Sequence, residues 1–254
     1  MCMFSQPVER VARTRIFARA GEDDTQLLAY AMSVAAAGPV AMVLALPTPP
    51  DPAEDAVRFI DLSGYADLFD DLAAAFPRPQ ASRGAPAPAA LGAALAVHAV
   101  GDFEASFVPT VRDFDRLDER FRLPDNVWRK LPELADRSFA VFQLRGDAEA
   151  PVDGDVHPMA FAFERHDPST LFFPTIHVHD GSVPRRARFD HTLYWQAADL
   201  DDVSSGDAMV APAAAVAAAV DADRSAGLVD PTLPCAALRL VGKRPNTDTT
   251  VPVG

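Results

Sequence analysis

At 254 residues the chain can bury a sizeable core as one large domain or two small ones. Apolar residues make up 49% and charged residues 23%, a globular composition that excludes wholesale disorder. The formal net charge of -13 repels phosphate backbones and anionic lipid, so neither nucleic acid nor a membrane surface is an expected partner.

The longest apolar stretch, 34–46, is interrupted by Gly38 and Pro39 and is too short to span a bilayer. The opening Met1-Cys2-Met3-Phe4-Ser5-Gln6-Pro7 lacks the basic region and apolar run of a secretory signal, so the cytoplasm is the expected compartment. Two cysteines, Cys2 and Cys235, make no disulfide framework. Arginines gather at Arg10, Arg13, Arg15 and Arg19 and again at Arg185, Arg186 and Arg188, which reads as solvated strand faces.

In chain order, alternation over 8–19 predicts a strand, and the apolar runs 26–34 and 40–46 predict two more. Pro47, Pro49, Pro50 and Pro52 then end regular pairing, because proline has no donor for a ladder. A short strand is expected over 57–62. A helix follows over 64–76, with Leu68, Phe69 and Leu72 inward and Asp67, Asp70 and Asp71 outward. The Pro/Ala-rich segment 77–90 reads as a linker or surface loop. Strands over 93–100 and 103–108, helices over 111–121 and 126–135, a strand over 138–144 and a polar loop over 146–155 come next. Three strands are expected over 156–164, 171–179 and 186–195, then an alanine-rich helix over 211–222 and a strand over 235–241. Residues 243–254 read as a loose tail. Strands outnumber helices without alternating strictly with them. The expected architecture is therefore a single α+β domain over 1–242, mostly antiparallel sheet with a few helices packed on one side.

Five of the six histidines fall within 156–191: His157, His166, His177, His179 and His191. In a strand, residues two apart share a face, so His177 and His179 project together while Ile176 and Val178 face the other way. Paired imidazoles are what a zinc, copper or iron site needs. Asp180-Gly181 reads as a turn returning the chain towards His191. That residue joins the same face only in one hairpin register, in which His179 pairs with Ala187. His157 and Cys2 are further candidate ligands, Met3 offers a soft thioether, and Asp180 or Asp190 are candidates to ligate directly or to orient an imidazole. A plain polar strand face and metal-free acid/base use are the alternatives. His98 reads as a core residue, His166 as a solvated loop residue, and Cys235 as core.

Cys2 also admits a second chemistry. With the initiator methionine removed, it carries both a thiol and an α-amine, a nucleophile and a general base in one residue. The opening Met-Cys, followed by Thr14-Arg15-Ile16-Phe17-Ala18-Arg19 and Asp23, resembles the choloylglycine and penicillin-V acylase family of N-terminal nucleophile hydrolases. That resemblance implies Cys2 as nucleophile and base, with Arg19 and Asp23 positioning the amine. Here Ala20-Gly21-Glu22 separates Arg19 from Asp23, a longer spacing than the family's.

A broader pattern is similar to an uncharacterised bacterial family, usually secreted, with a cysteine near the mature N-terminus. It is carried by Cys2, the Leu46-Pro47-Thr48-Pro49-Pro50 segment, Arg116-Leu117, the Leu123-Pro124 turn and the Phe139-Ala140-Val141-Phe142 strand. That likeness implies an order of elements over about 2–180 and no chemistry.

No phosphate loop, G-x-S-x-G elbow, H-E-x-x-H helix, calcium loop or C-x-x-C pair is present in the sequence. The acidic group Asp199, Asp201 and Asp202 reads as a solvated turn. Three readings follow. The first is a transition-metal protein, a candidate metalloenzyme activating water or oxygen, built on His177 and His179 with His191, His157 and Cys2. The second is a Cys2 amidohydrolase acting on a small molecule or peptide. The third is a non-enzymatic binding or scaffold protein.

Overall fold

A computed structural model describes residues 2–77, 103–144, 152–200, 203 and 207–253. It is rich in sheet, most of it antiparallel, with few helices. Two large sheets carry the fold. The five-stranded sheet contains β1 (Cys2–Phe4), β4 (Val40–Leu46), β6 (Glu104–Val108), β7 (Ser138–Leu144) and β10 (His177–Val178), in the order β10-β1-β4-β7-β6. The seven-stranded sheet contains β2 (Arg10–Ala20), β3 (Thr25–Ala36), β5 (Val57–Ile60), β8 (Val152–Glu164), β11 (Arg186–Gln196), β12 (Met209–Ala211) and β13 (Cys235–Pro245), in the order β12-β13-β11-β2-β3-β8-β5. A two-stranded sheet joins β9 (Thr170–Phe173) to β14 (Thr249–Pro252). The two parallel pairs, β1–β10 and β11–β2, both lie at the candidate site.

The large sheets face one another across a shared core. Phe4, Met42, Leu44 and Phe142 from one meet Ile16, Leu28, Phe161 and Trp195 from the other. β3 and β4 read as continuous apolar runs because both faces of each sheet are covered. On the outside of the seven-stranded sheet lie α1 (Leu68–Ala74) and α3 (Ala213–Ala219), which bury Phe69, Leu72 and Val216 against it. On the outside of the five-stranded sheet lie α2 (Asp125–Trp128) and 3-10 turns at Val111–Arg116, Glu119–Phe121 and Pro132–Leu134. These bury Phe114, Phe121, Val127 and Leu134 against Val43, Phe139 and Val141.

Helices therefore cover both outer faces rather than one side. The reason is visible in the strands: alternate residues of β4 and β7 belong to the inner and outer clusters in turn, so each sheet needs an outer cover. The helices expected over 111–121 and 126–135 are mostly 3-10, because Leu117 is extended and Pro124 and Pro132 break the backbone ladder.

The C-terminal segment also differs from expectation. Residues 243–253 do not trail loosely: β13 runs to Pro245 against β11, and β14 pairs with β9. The strand expected over 171–179 is divided at Pro174 into β9 and β10, which join different sheets. His98, the strand expected over 93–100, and nearly all of the 77–90 segment lie outside the described residues. Among the described residues no helix is long and apolar enough to cross a membrane.

Candidate functional site

Along β11, Ala187, Phe189, Leu193 and Trp195 belong to the inter-sheet core, and His191 occupies the position in register with them. His177 arrives from the other sheet. Its neighbours Ile176 and Val178 lie in the outer cluster, so the imidazole faces inward, as strand alternation requires. The two side chains meet across the gap between the sheets, Nε2 to Nε2 at 3.2 Å, with ring centroids 4.8 Å apart. His177 is 7% exposed and His191 2%. His179 stacks on His177 at 4.9 Å and meets the Phe4 ring at 5.7 Å. Phe189 flanks both members of the pair, 4.5 Å from His177 and 5.1 Å from His191.

Burial among apolar rings penalises the imidazolium, and neighbouring imidazoles add to the penalty. His177 is pushed down to about 3, by burial first and then by His179; His191 is pushed down to about 2, by burial first and then by His177. Both rings are neutral near neutral pH. Their contact is then an N–H···N hydrogen bond, one ring donating and the other accepting. Nδ1 of His191 is buried and has no hydrogen-bond partner among the described residues.

The backbone around His177 is held by the C-terminal segment. The His177 N–H donates to Asn246 Oδ1 at 2.7 Å, and Asn246 Nδ2 donates to the carbonyls of His177 and Pro184, each at 3.0 Å. The N–H groups of Thr175 and Ile176 both donate to Asp248 Oδ1, at 2.8 and 3.1 Å. A two-residue edge strand has few ladder bonds of its own, and these side chains supply the rest.

Beside the pair opens a cavity of about 530 Å³, lined among others by Val11, Thr14, His179, Asp180, Arg188 and Asp190. One wall is a β-bulge between Ala12 and Arg15, where Arg13 adopts φ 53°. Bulges of this kind re-aim a strand and concentrate near sites. The Arg13 N–H donates to Asp190 Oδ2 at 3.3 Å. In the 180–182 turn the Ser182 hydroxyl and N–H hold the Asp180 carboxyl below its usual range.

The expected residues are distributed unevenly. His177, His179 and His191 do come together, although not through the expected hairpin: β10 pairs with β1, and β11 pairs with β2 and β13. Cys2 is the register partner of His177 in the parallel β1–β10 pair. His157 does not join them. It lies on β8, stacked on Phe103 at 4.4 Å, and β2 and β3 intervene between β8 and β11, a separation of about 14 Å. Among the described residues no three His, Cys, Asp or Glu side chains form a ready-made metal sphere.

Arg19 and Asp23, the residues that the acylase resemblance implies, lie away from the histidine pair. Arg19 lies five residues along β2 from Thr14, about 16 Å from the His191 level. Its guanidinium donates to the carbonyls of Gly227 and Leu228, at 2.7 and 3.0 Å. Asp23 sits in the β2–β3 turn beyond it. Cys235 is fully buried, and burial pushes its thiol up to about 12, so it is a core residue without nucleophilic character.

Thr14, Asn246 and Asp248 are not marked as site residues by the sequence. One signal was available: in Ala187-x-Phe189-x-His191-x-Leu193-x-Trp195, His191 is the polar member of an apolar alternating stripe. No local pattern marks Asn246 or Asp248, whose partners lie about seventy residues away in sequence.

No family model and no curated protein matches the sequence. Solved structures do match the fold. The crystal structure of baculovirus P35 aligns with a TM-score of 0.53 at 12% identity, covering 99% of both chains. P35 in the caspase-8/P35 complex aligns with a TM-score of 0.51 at 11% identity, covering 95% of this chain and 96% of P35. At such identity the likeness is one of fold, and it runs through essentially the whole of both chains.

Proposed function

We propose that the chain is a non-enzymatic binding protein whose partner is another protein, a protease of the caspase type being the first candidate. The observation that carries this reading is the end-to-end match to P35, a protein seen in complex with caspase-8. The chemistry of the described residues favours it over catalysis. The buried histidines His177 and His191 engage each other, the Arg19 guanidinium is taken up by carbonyls, and burial pushes the Cys235 thiol up to about 12.

The test is inhibition. Purified chain is titrated into recombinant caspase-8, and hydrolysis of a small fluorogenic peptide is followed. Dose-dependent loss of hydrolysis, reaching completion at a defined molar ratio, supports the reading. Unchanged hydrolysis at a large molar excess of the chain contradicts it.

A further inference from the structure

We propose that His177 and His191 form a zinc-binding pair at the junction of the two sheets, a site independent of any protein partner. Zinc–imidazole bonds are about 2.0–2.1 Å, which places two ligating nitrogens about 3.3 Å apart on the edge of a tetrahedron. The Nε2 atoms of His177 and His191 are 3.2 Å apart. A square-planar ion such as copper(II) needs cis nitrogens about 2.8 Å apart, a poorer fit.

Both imidazoles are set in place from outside the pair. His177 is fixed by Asn246 through its own backbone, and His191 is one rung of a continuous eleven-residue pairing with β13. The donors are therefore already arranged, one from each sheet, and both are more than nine-tenths buried. In the metal-free pair one Nε2 carries the shared proton. On binding, that ring shifts its proton to Nδ1, both Nε2 lone pairs face the ion, and no net proton is released.

His179 supplies the third ligand. It lies on the same face as His177, stacks on it at 4.9 Å, and borders the cavity of about 530 Å³, which gives its side chain room to turn towards the ion. Water from the cavity takes the fourth place. Affinity is limited by His191 Nδ1, which has no partner among the described residues. Loss of such an outer partner weakens zinc sites by about 10–100-fold, so binding in the micromolar rather than the nanomolar range is expected.

The full chain is stripped with chelator and dialysed against micromolar zinc, and retained metal is counted by elemental mass spectrometry. About one zinc per chain is expected, with affinity reduced at least tenfold in His177→Gln and in His191→Gln and unchanged in His157→Gln. No retention by the parent, or equal retention by the parent and both glutamine variants, overturns the proposal. If the glutamine variants fail to fold, cobalt(II) loaded into the parent decides. The intense visible absorption of a tetrahedral site supports the proposal, and the weak spectrum of an octahedral ion overturns it.

Discussion

The meeting of His177 and His191 has a thermodynamic consequence that the metal-free protein should show. Unfolded histidine titrates near 6.5, whereas His177 and His191 are held down to about 3 and about 2 in the fold. Between these values the unfolded chain binds more protons than the folded one. Stability is therefore complete above 6.5 and falls as the pH drops from 6.5 towards 3, by up to about 1.4 kcal/mol per pH unit for each histidine. Carboxylates held low by hydrogen bonds, such as Asp180, lose their contribution only at more acid pH. The window from 6.5 to about 4.5 thus belongs to the histidines. Urea unfolding of chelator-treated protein should show a loss of about 2 kcal/mol per histidine between pH 7.5 and 5.0. His191→Leu, which places an apolar side chain in an apolar stripe, should roughly halve that dependence, because His177 keeps its own share. An equally steep dependence in the variant would show that the loss arises elsewhere.

At the scale of elements, the short strand β10 is maintained by side chains from the far end of the chain. Asn246→Ala removes three hydrogen bonds to the strand and its turn, Asp248→Ala removes those to the N–H groups of Thr175 and Ile176, and each substitution should cost roughly 1–2 kcal/mol in urea unfolding. Thr250→Ala, at an exposed position of β14, should change stability by less than about 0.5 kcal/mol. Equal effects at all three positions would refute the pinning role of Asn246 and Asp248. The same elements show what a sequence can reveal. β4 and β7 are legible to the residue, because apolar runs bounded by prolines or loops mark buried strands. The shared face of His177 and His179 is legible from period-2 alternation alone. The partner strands are not: a hairpin is the shorter closure after Asp180-Gly181, and only long-range pairing with β1, β2 and β13 overrides it. For the same reason the tail over 243–254 looks loose locally, since the partners of Asn246, Asp248 and β14 in the 175–177 segment and β9 lie about seventy to eighty residues away.

At the scale of the whole molecule, an aromatic cluster contributes to the core shared by the two sheets. Phe142, fully buried, meets Phe103 at 5.4 Å, Phe59 at 5.7 Å and Phe161 at 5.8 Å, and so links β7 of one sheet to β5 and β8 at one edge of the other. Phe142→Ala should cost about 3–5 kcal/mol, while the conservative Phe142→Leu should retain most of the stability. Thermal melts of the two variants distinguish a tightly packed cluster from a loose one, in which both substitutions would cost little. The binding reading rests on the likeness of this fold to that of P35. The most direct test of that reading is the mass of the chain mixed with caspase-8, measured by size-exclusion chromatography with light scattering. A single species with the summed mass of the two proteins is the expected result. Two species eluting at their separate masses, at concentrations where the chain itself remains folded, would contradict it.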